Sequence, residues 1–224
     1  MANLFVFEGP DKVGKTTGMS KVSRELHARN IAHRIRSIWD SELGGMIKGE
    51  ILDPSLPNMT KALLVAGVRY AYYVEHVMPL LDKGVVVLMD RWTLSTMAYQ
   101  GEIGSRPSEF DISMLHQSMF ASLGDGYAIS FPPTCFVMVD REVAEDRFLK
   151  AGSSLDNLES SLEIQDKVWK FYSQYPASYR AHCDTQVCGS GELNVKMLLA
   201  TWLLPQLSIG QQLTAELRGK SEGR

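Results

Sequence analysis

Residues 9–16 read Gly-Pro-Asp-Lys-Val-Gly-Lys-Thr, with an apolar run at residues 4–7 before them and a helical pattern at residues 15–29 behind them. No other feature constrains the fold as much. The spacing is G-x-x-x-x-G-K-[ST], a loop that wraps phosphates between a strand and a helix. Gly9 and Gly14 let the backbone turn its N–H groups inward around phosphate oxygens. The helix that follows presents its N-terminus to the same anion. Lys15 can reach the β- and γ-phosphates of ATP, and the Thr16 hydroxyl can ligate Mg²⁺. Gly9, Asp11, Val13, Gly14, Lys15, Thr16 and Thr17 are the candidate nucleotide contacts of this loop.

Four further β-rich runs follow at residues 34–38, 85–89, 135–139 and 186–188. They are continuous apolar runs more than alternating ones, as in strands buried on both faces. Helical patterns cover residues 60–81, 109–123, 142–150, 159–175 and 192–204, and Ser108 with Asp111 forms a capping box ahead of the second of these. Strands that alternate with helices pair in parallel through right-handed crossovers. The expected fold is therefore α/β, a P-loop NTPase fold with a five-stranded parallel sheet and helices on both faces. Residues 1–209 are expected to form one domain, and the polar stretch 210–224 a frayed tail.

Several function classes fall away. A net charge of −3 offers no nucleic-acid-coating surface and no polybasic membrane patch. No stretch approaches the roughly 20 apolar residues that span a bilayer. MANLFVFEGP lacks the charged flank and length of a signal peptide, so a cytoplasmic chain is expected. Cys135, Cys183 and Cys188 form no CxxC pair and read as reduced thiols. The histidines form no HExxH.

Nucleotide-binding loops serve GTPases, motors and small-molecule kinases. Two GTPase features are missing, since no NKxD follows the fourth run and no DxxG the third. The third run leads instead into Met89-Asp90-Arg91-Trp92. An aspartate at a strand's C-terminal end beside the loop can hold Mg²⁺ through water. Arg91 can fork onto a phosphate. A helix-capping aspartate with a surface arginine is the plainer alternative.

With these residues in view the chain resembles the thymidylate kinase family over roughly residues 3–190. Phe7-Glu8-Gly9-Pro10-Asp11-Lys12-Val13-Gly14-Lys15-Thr16 matches its FEG-x-D-x-x-GKT. Arg69, then Pro79-Leu80-Leu81-Asp82-Lys83-Gly84, matches its long helix and turn. Asp90-Arg91-Trp92, Ser95 and Ala98-Tyr99-Gln100-Gly101 complete the series in order. The resemblance implies phosphoryl transfer from ATP-Mg²⁺ to a deoxynucleoside monophosphate, most directly dTMP. It implies that Asp11 meets the sugar 3′-hydroxyl or the metal network, and that Arg91 holds the acceptor phosphate. Arg69 would sit at the base or acceptor side. Ser95, Thr96 and Tyr99 would line the base and sugar pocket, with Tyr99 crowding the 2′ position. Arg147 matches a lid arginine near the adenine and phosphates. Family members place a catalytic cation either in the loop or in the lid. Here Lys12 is in the loop, while the lid, about residues 141–159, has a small uncharged centre at residues 151–154. Lys12, Lys15, Asp90 and Arg91 are thus the expected catalytic residues. The family also forms dimers through long helices. The pattern at 60–81 suits that role, and equally suits packing on the sheet.

Two positions depart from the family. Where an arginine follows the second strand, this chain has Trp39 or a neighbour, with Arg36 a few residues upstream. The base-stacking phenylalanine four residues before Arg69 is Val65, which leaves Tyr70, Tyr72, Tyr73 or Trp92 to supply a ring. An altered base preference is one consequence. A deoxynucleoside kinase is a second reading, for which Asp40 or Glu42 could serve as the base. A nucleotide-binding assembly protein without turnover is a third.

Overall fold

The computed structural model describes residues 3–101, 107–151, 162–179, 185–188 and 195–207. Strands β1 (Leu4–Glu8), β2 (His33–Ser37), β3 (Val86–Asp90), β4 (Thr134–Val137) and β5 (Thr185–Cys188) lie side by side in the order β2-β3-β1-β4-β5. All four pairings are parallel. Every residue of β1 is buried, as a central strand covered on both faces requires. Its side chains alternate between two cores. Phe5 and Phe7 pack with Met19, Val22 and Leu26 of helix α1 (Lys15–Ala28) and with Trp202. Leu4 and Val6 pack with Val65, Val68 and Tyr72 of helix α3 (Asn58–Tyr72) and with Trp92 and Phe120. Each large side chain so buried contributes about 2 kcal/mol.

From β1 the chain moves to one side of the sheet, and from β3 it moves to the other. The crevice at the carboxyl ends of such a pair is where ligands bind in open α/β sheets. Phe7 is level with Asp90 in the register, so the loop after β1 emerges beside Asp90 and Arg91.

The remaining helices are α2 (Glu42–Leu52), α4 (Met78–Leu81), α5 (Thr93–Gln100), α6 (Glu109–Phe120), α7 (Gly126–Ser130), α8 (Arg141–Ala151), α9 (Leu162–Tyr179) and α10 (Val195–Leu198). The capping box at α6 forms, with Ser108 Oγ accepting from Asp111 N at 3.2 Å and Asp111 Oδ2 accepting from Ser108 N at 2.9 Å.

Some expectations need correction. The strand expected at 34–38 ends one residue early, because Ser37 and Asp40 form a second capping box that starts a 3₁₀ turn at Ile38–Asp40. The strand expected at 135–139 is Thr134–Val137. The single helix expected over 60–81 is α3 and α4 joined by a π-helical turn at Tyr73–Val77. Pro79 explains the turn: it has no N–H to donate, and its ring would collide with the carbonyl of Glu75 in a regular helix. The same device recurs at Leu199–Leu203, two residues before Pro205. Helices α2, α5 and α7 were not foreseen. Of the expected lid, residues 141–151 belong to α8; residues 152–159, Cys183 and the stretch 210–224 lie outside the described residues. Cys135 is a buried thiol.

Candidate active site

The loop between β1 and α1 needs glycine at two positions for different reasons. Gly9 has φ 149°, and a Cβ there would lie 2.2 Å from the carbonyl oxygen of Val137 in β4. Gly14 has φ 97° with only ordinary contacts around it, so conformation alone demands glycine. Lys12 at the apex adopts φ 59°. Its carbonyl accepts from Arg147 Nη1 at 3.0 Å, which ties α8 to the loop.

The Lys15 ammonium is buried inside the loop and donates to Gly9 O at 3.1 Å and Pro10 O at 2.5 Å. Burial, then the charge of Arg91, lowers its pKa to about 8 against the opposing pull of Asp11, Asp90 and Glu8. The side chains of Thr16 and Thr17 are exposed on the first turn of α1. Asp90 has a buried Oδ1 with no hydrogen-bond partner among the described residues. Burial raises its pKa despite Lys15 and Arg91 nearby. A buried carboxylate oxygen that lacks a donor, close to the loop lysine, suits a hydrated cation. Mg²⁺ keeps several waters and takes few protein ligands, so Thr16 and Asp90 fit it.

Arg91 has φ 63°, which turns its side chain back across the loop. Its Nη2 pairs with Asp11 and donates to Tyr99 Oη at 3.3 Å, while Nη1 donates to Ser95 Oγ at 3.0 Å. The guanidinium also lies over the Tyr99 ring, 5.3 Å from its centre. Tyr99 Oη donates to the other oxygen of Asp11. Burial alone would raise the Asp11 pKa. The charges of Arg91 and Lys15 and the two hydrogen bonds outweigh it and bring the carboxyl down to about 2.

Glu8, quoted in the sequence only as part of a motif, organises this group. Its fully buried carboxylate accepts from Trp92 N at 2.6 Å, Ser95 N at 3.2 Å, Ser95 Oγ at 2.6 Å and Tyr172 Oη at 2.7 Å. Helix α5 has no capping side chain of its own, and Glu8 does that work from another strand.

A cavity of about 210 Å³ opens beside the loop. Asp11, Arg91, Ser95 and Tyr99 line it, as do Thr96, Arg69 and Val65. Arg69 is buried and donates to Thr96 Oγ1 at 3.0 Å, to Trp92 O at 2.9 Å and to His116. Trp39 and Lys48 line the same cavity, and sequence reasoning did not single out Lys48. The available signal was only its position one helix past the place of the missing arginine.

Arg36 is not among the lining residues; its Nη1 donates to Ile35 O at 3.3 Å. Asp40 is engaged in its capping box and Glu42 is exposed, and neither lines the cavity. Tyr70 packs on Phe120, Tyr73 and Trp92 pack around the same ring, and Tyr72 lies in the core. The aromatic residues that do line the cavity are Trp39 and Tyr99.

A family model described as thymidylate kinase matches residues 7–184. The thymidylate kinase of Staphylococcus epidermidis is 31% identical over 188 residues, covering 78% of this chain and 83% of the relative. That of Carboxydothermus hydrogenoformans is 34% identical over 180 residues, covering 77% and 83%. That of Enterococcus faecalis is 40% identical over 110 residues, covering 45% and 50%.

Proposed function

We propose that this chain, which belongs to the thymidylate kinase family, transfers the terminal phosphoryl group of ATP to dTMP, giving dTDP and ADP. The observation that carries this reading is the contact between Asp11 of the phosphate loop and Arg91 in the wall of the adjoining cavity. With ATP in the loop and the acceptor in the cavity, that contact would join the donor and acceptor sites.

ATP would be held by the loop backbone from Gly9 to Thr17, with Lys15 released from Gly9 O and Pro10 O onto the β- and γ-phosphates. Mg²⁺ arriving with ATP would be held by Thr16 and, through water, by Asp90, and would offset charge on the phosphate oxygens. Arg91 and Lys48 would hold the acceptor phosphate, Asp11 the 3′-hydroxyl, and Ser95 and Thr96 the sugar and base. The Tyr99 ring, fixed by Asp11 and Arg91, would crowd a 2′-hydroxyl. Arg69 would face the base. Lys12, with Arg147 at its carbonyl, would neutralise the transferring group. An acceptor phosphate is largely dianionic at neutral pH, its second pKa being about 6, so no general base is needed. Catalysis is then positioning and charge neutralisation.

Residues 1–209 would act as one domain, with the lid at about 141–159 and the tail at 210–224. No described helix is long and apolar enough to cross a membrane, and the reading assigns the chain to the cytoplasm with its ATP. Exposed Leu63 on α3 and exposed Phe110 and Met114, one turn apart on α6, support a homodimer through those helices.

The test is incubation with ATP-Mg²⁺ and, separately, each deoxynucleoside and each deoxynucleoside 5′-monophosphate, with the products separated by ion exchange. The expected product is dTDP from dTMP. Formation of dTMP from thymidine, or no transfer to any acceptor, would overturn the reading.

A further inference from the structure

A guanidinium carries five N–H groups, and in Arg69 three of them are committed. The two on Nη1 go to Thr96 Oγ1 at 3.0 Å and to Nε2 of His116, and one on Nη2 goes to the Trp92 carbonyl at 2.9 Å. The Nε–H is buried without a partner among the described residues, and one N–H on Nη2 also remains. The guanidinium carbon lies over the Trp92 ring, 5.2 Å from its centre, and Arg69 lines the cavity.

The other nitrogen of His116 decides what its Nε2 can do. Nδ1 is 2.8 Å from the carbonyl oxygen of Ile112, which can only accept, so Nδ1 carries the proton. Nε2 therefore offers a lone pair, and Arg69 donates into it. Burial, and then the Arg69 charge, lowers the His116 pKa to about 3, so the imidazole stays neutral wherever an enzyme of this kind works. A helix carbonyl on α6 thus fixes the tautomer, and the tautomer fixes the guanidinium.

We propose that His116 is a positioning residue for base selection. By engaging Nη1, it leaves the Nε–H and the remaining Nη2–H of Arg69 for the acceptor base. The inference rests on reading the cavity as the acceptor's pocket. Arg91 and Asp11 meet at the phosphate loop, so the acceptor phosphate belongs at that cluster and its base at the Arg69 cluster. An edge that can only donate accepts a ring carbonyl, as in thymine and uracil, and leaves a ring amino group, as in cytosine, facing donors. His116 does not touch substrate; it acts through Arg69.

The test compares wild type, His116→Leu and His116→Gln with dTMP, dUMP and dCMP. In the leucine variant, KM for dTMP should rise about tenfold, the scale of one weakened charge-assisted hydrogen bond, with kcat nearly unchanged. The dTMP-to-dCMP ratio of kcat/KM should shrink by about the same factor. The glutamine variant, whose amide oxygen can accept from Nη1, should restore both. An unchanged ratio in a folded His116→Leu protein, or equal losses for dTMP and dCMP, would overturn the proposal. Should the leucine variant not fold, His116→Met fills the volume with a weak acceptor and is read the same way. Calorimetric binding of dTMP and dCMP gives the same ratio without turnover. Wild type that binds neither nucleotide would sink the functional reading, and this inference with it. Wild type that selects dTMP while the variants select it equally well would sink this inference alone.

Discussion

Glu8 at the end of β1 accepts the backbone N–H of Trp92 at 2.6 Å and so caps a helix whose N-cap residue lies 84 residues further along the chain. The same carboxylate takes the N–H and hydroxyl of Ser95 and the hydroxyl of Tyr172 on α9. One side chain therefore fixes the phosphate loop's entrance, the start of α5 and the helix beyond the expected lid.

Glu8→Ala should lower the unfolding free energy by about 3 kcal/mol, since four buried donors lose their acceptor together. Tyr172→Phe removes a single hydroxyl and should cost about 1 kcal/mol. Urea unfolding of both variants gives the comparison. Equal and small losses would show that α5 needs no cap from β1.

ATP binding should take up a proton in mildly alkaline solution. In the free loop the Lys15 ammonium has a pKa of about 8, and phosphate oxygens placed around it would raise that value. Above about pH 8 part of the free protein carries neutral Lys15, so binding a nucleotide adds the proton back and affinity falls as pH rises. Calorimetry at about pH 8.5 with a non-hydrolysable ATP analogue, in two buffers of different ionisation heat, reads the uptake. Lys15→Arg, charged throughout this range, should abolish it.

Asp11 should contribute to acid stability. Its pKa falls from 3.8 in the unfolded chain to about 2 in the fold. A lowered carboxyl pKa stabilises the fold above the unfolded value, and that contribution disappears as pH drops through the folded one. Asp11→Asn should thus remove about 2 kcal/mol at neutral pH, and progressively less between about pH 4 and 2. Thermal unfolding of wild type and variant across that window tests the sign as well as the size.

The cations of the cavity and of the phosphate loop should divide by kinetic parameter. Lys48→Ala should raise KM for dTMP about tenfold and leave KM for ATP alone, if Lys48 grips only the acceptor phosphate. Arg91→Ala should lower kcat/KM for dTMP about a hundredfold or more, because it also frees Asp11 and Tyr99. Lys12→Ala should lower kcat about a hundredfold with ATP affinity little changed. Steady-state kinetics with each substrate varied in turn separates the three. An unchanged kcat for the Lys12 variant would assign the transition-state charge to the lid.

Much of the local structure was legible because its causes are local. The glycine spacing around Lys15, the apolar run of β1 and the Ser108–Asp111 capping box act over a few residues, and the structure has all three. Helix α5 was not legible, since its cap comes from Glu8 and its own first turn has none. Helix α2 carries three glycines, so packing has to hold it against weak propensity. The pattern at 60–81 hid the π turn because hydrophobic period says nothing about a missing N–H at Pro79.

By itself the sequence determined the phosphate loop, the alternation of strands and helices, and the family to which the chain belongs. Those depend on short-range spacing and on residue identity, which a linear string preserves. Only the tertiary structure decided that Lys48 and Trp39 line the cavity beside the phosphate loop while Arg36 stays on its own strand. It also decided that His116, 47 residues from Arg69, supplies one of that arginine's acceptors. Buried polar groups must find partners wherever the fold brings one, and that requirement acts through space with no trace in sequence order.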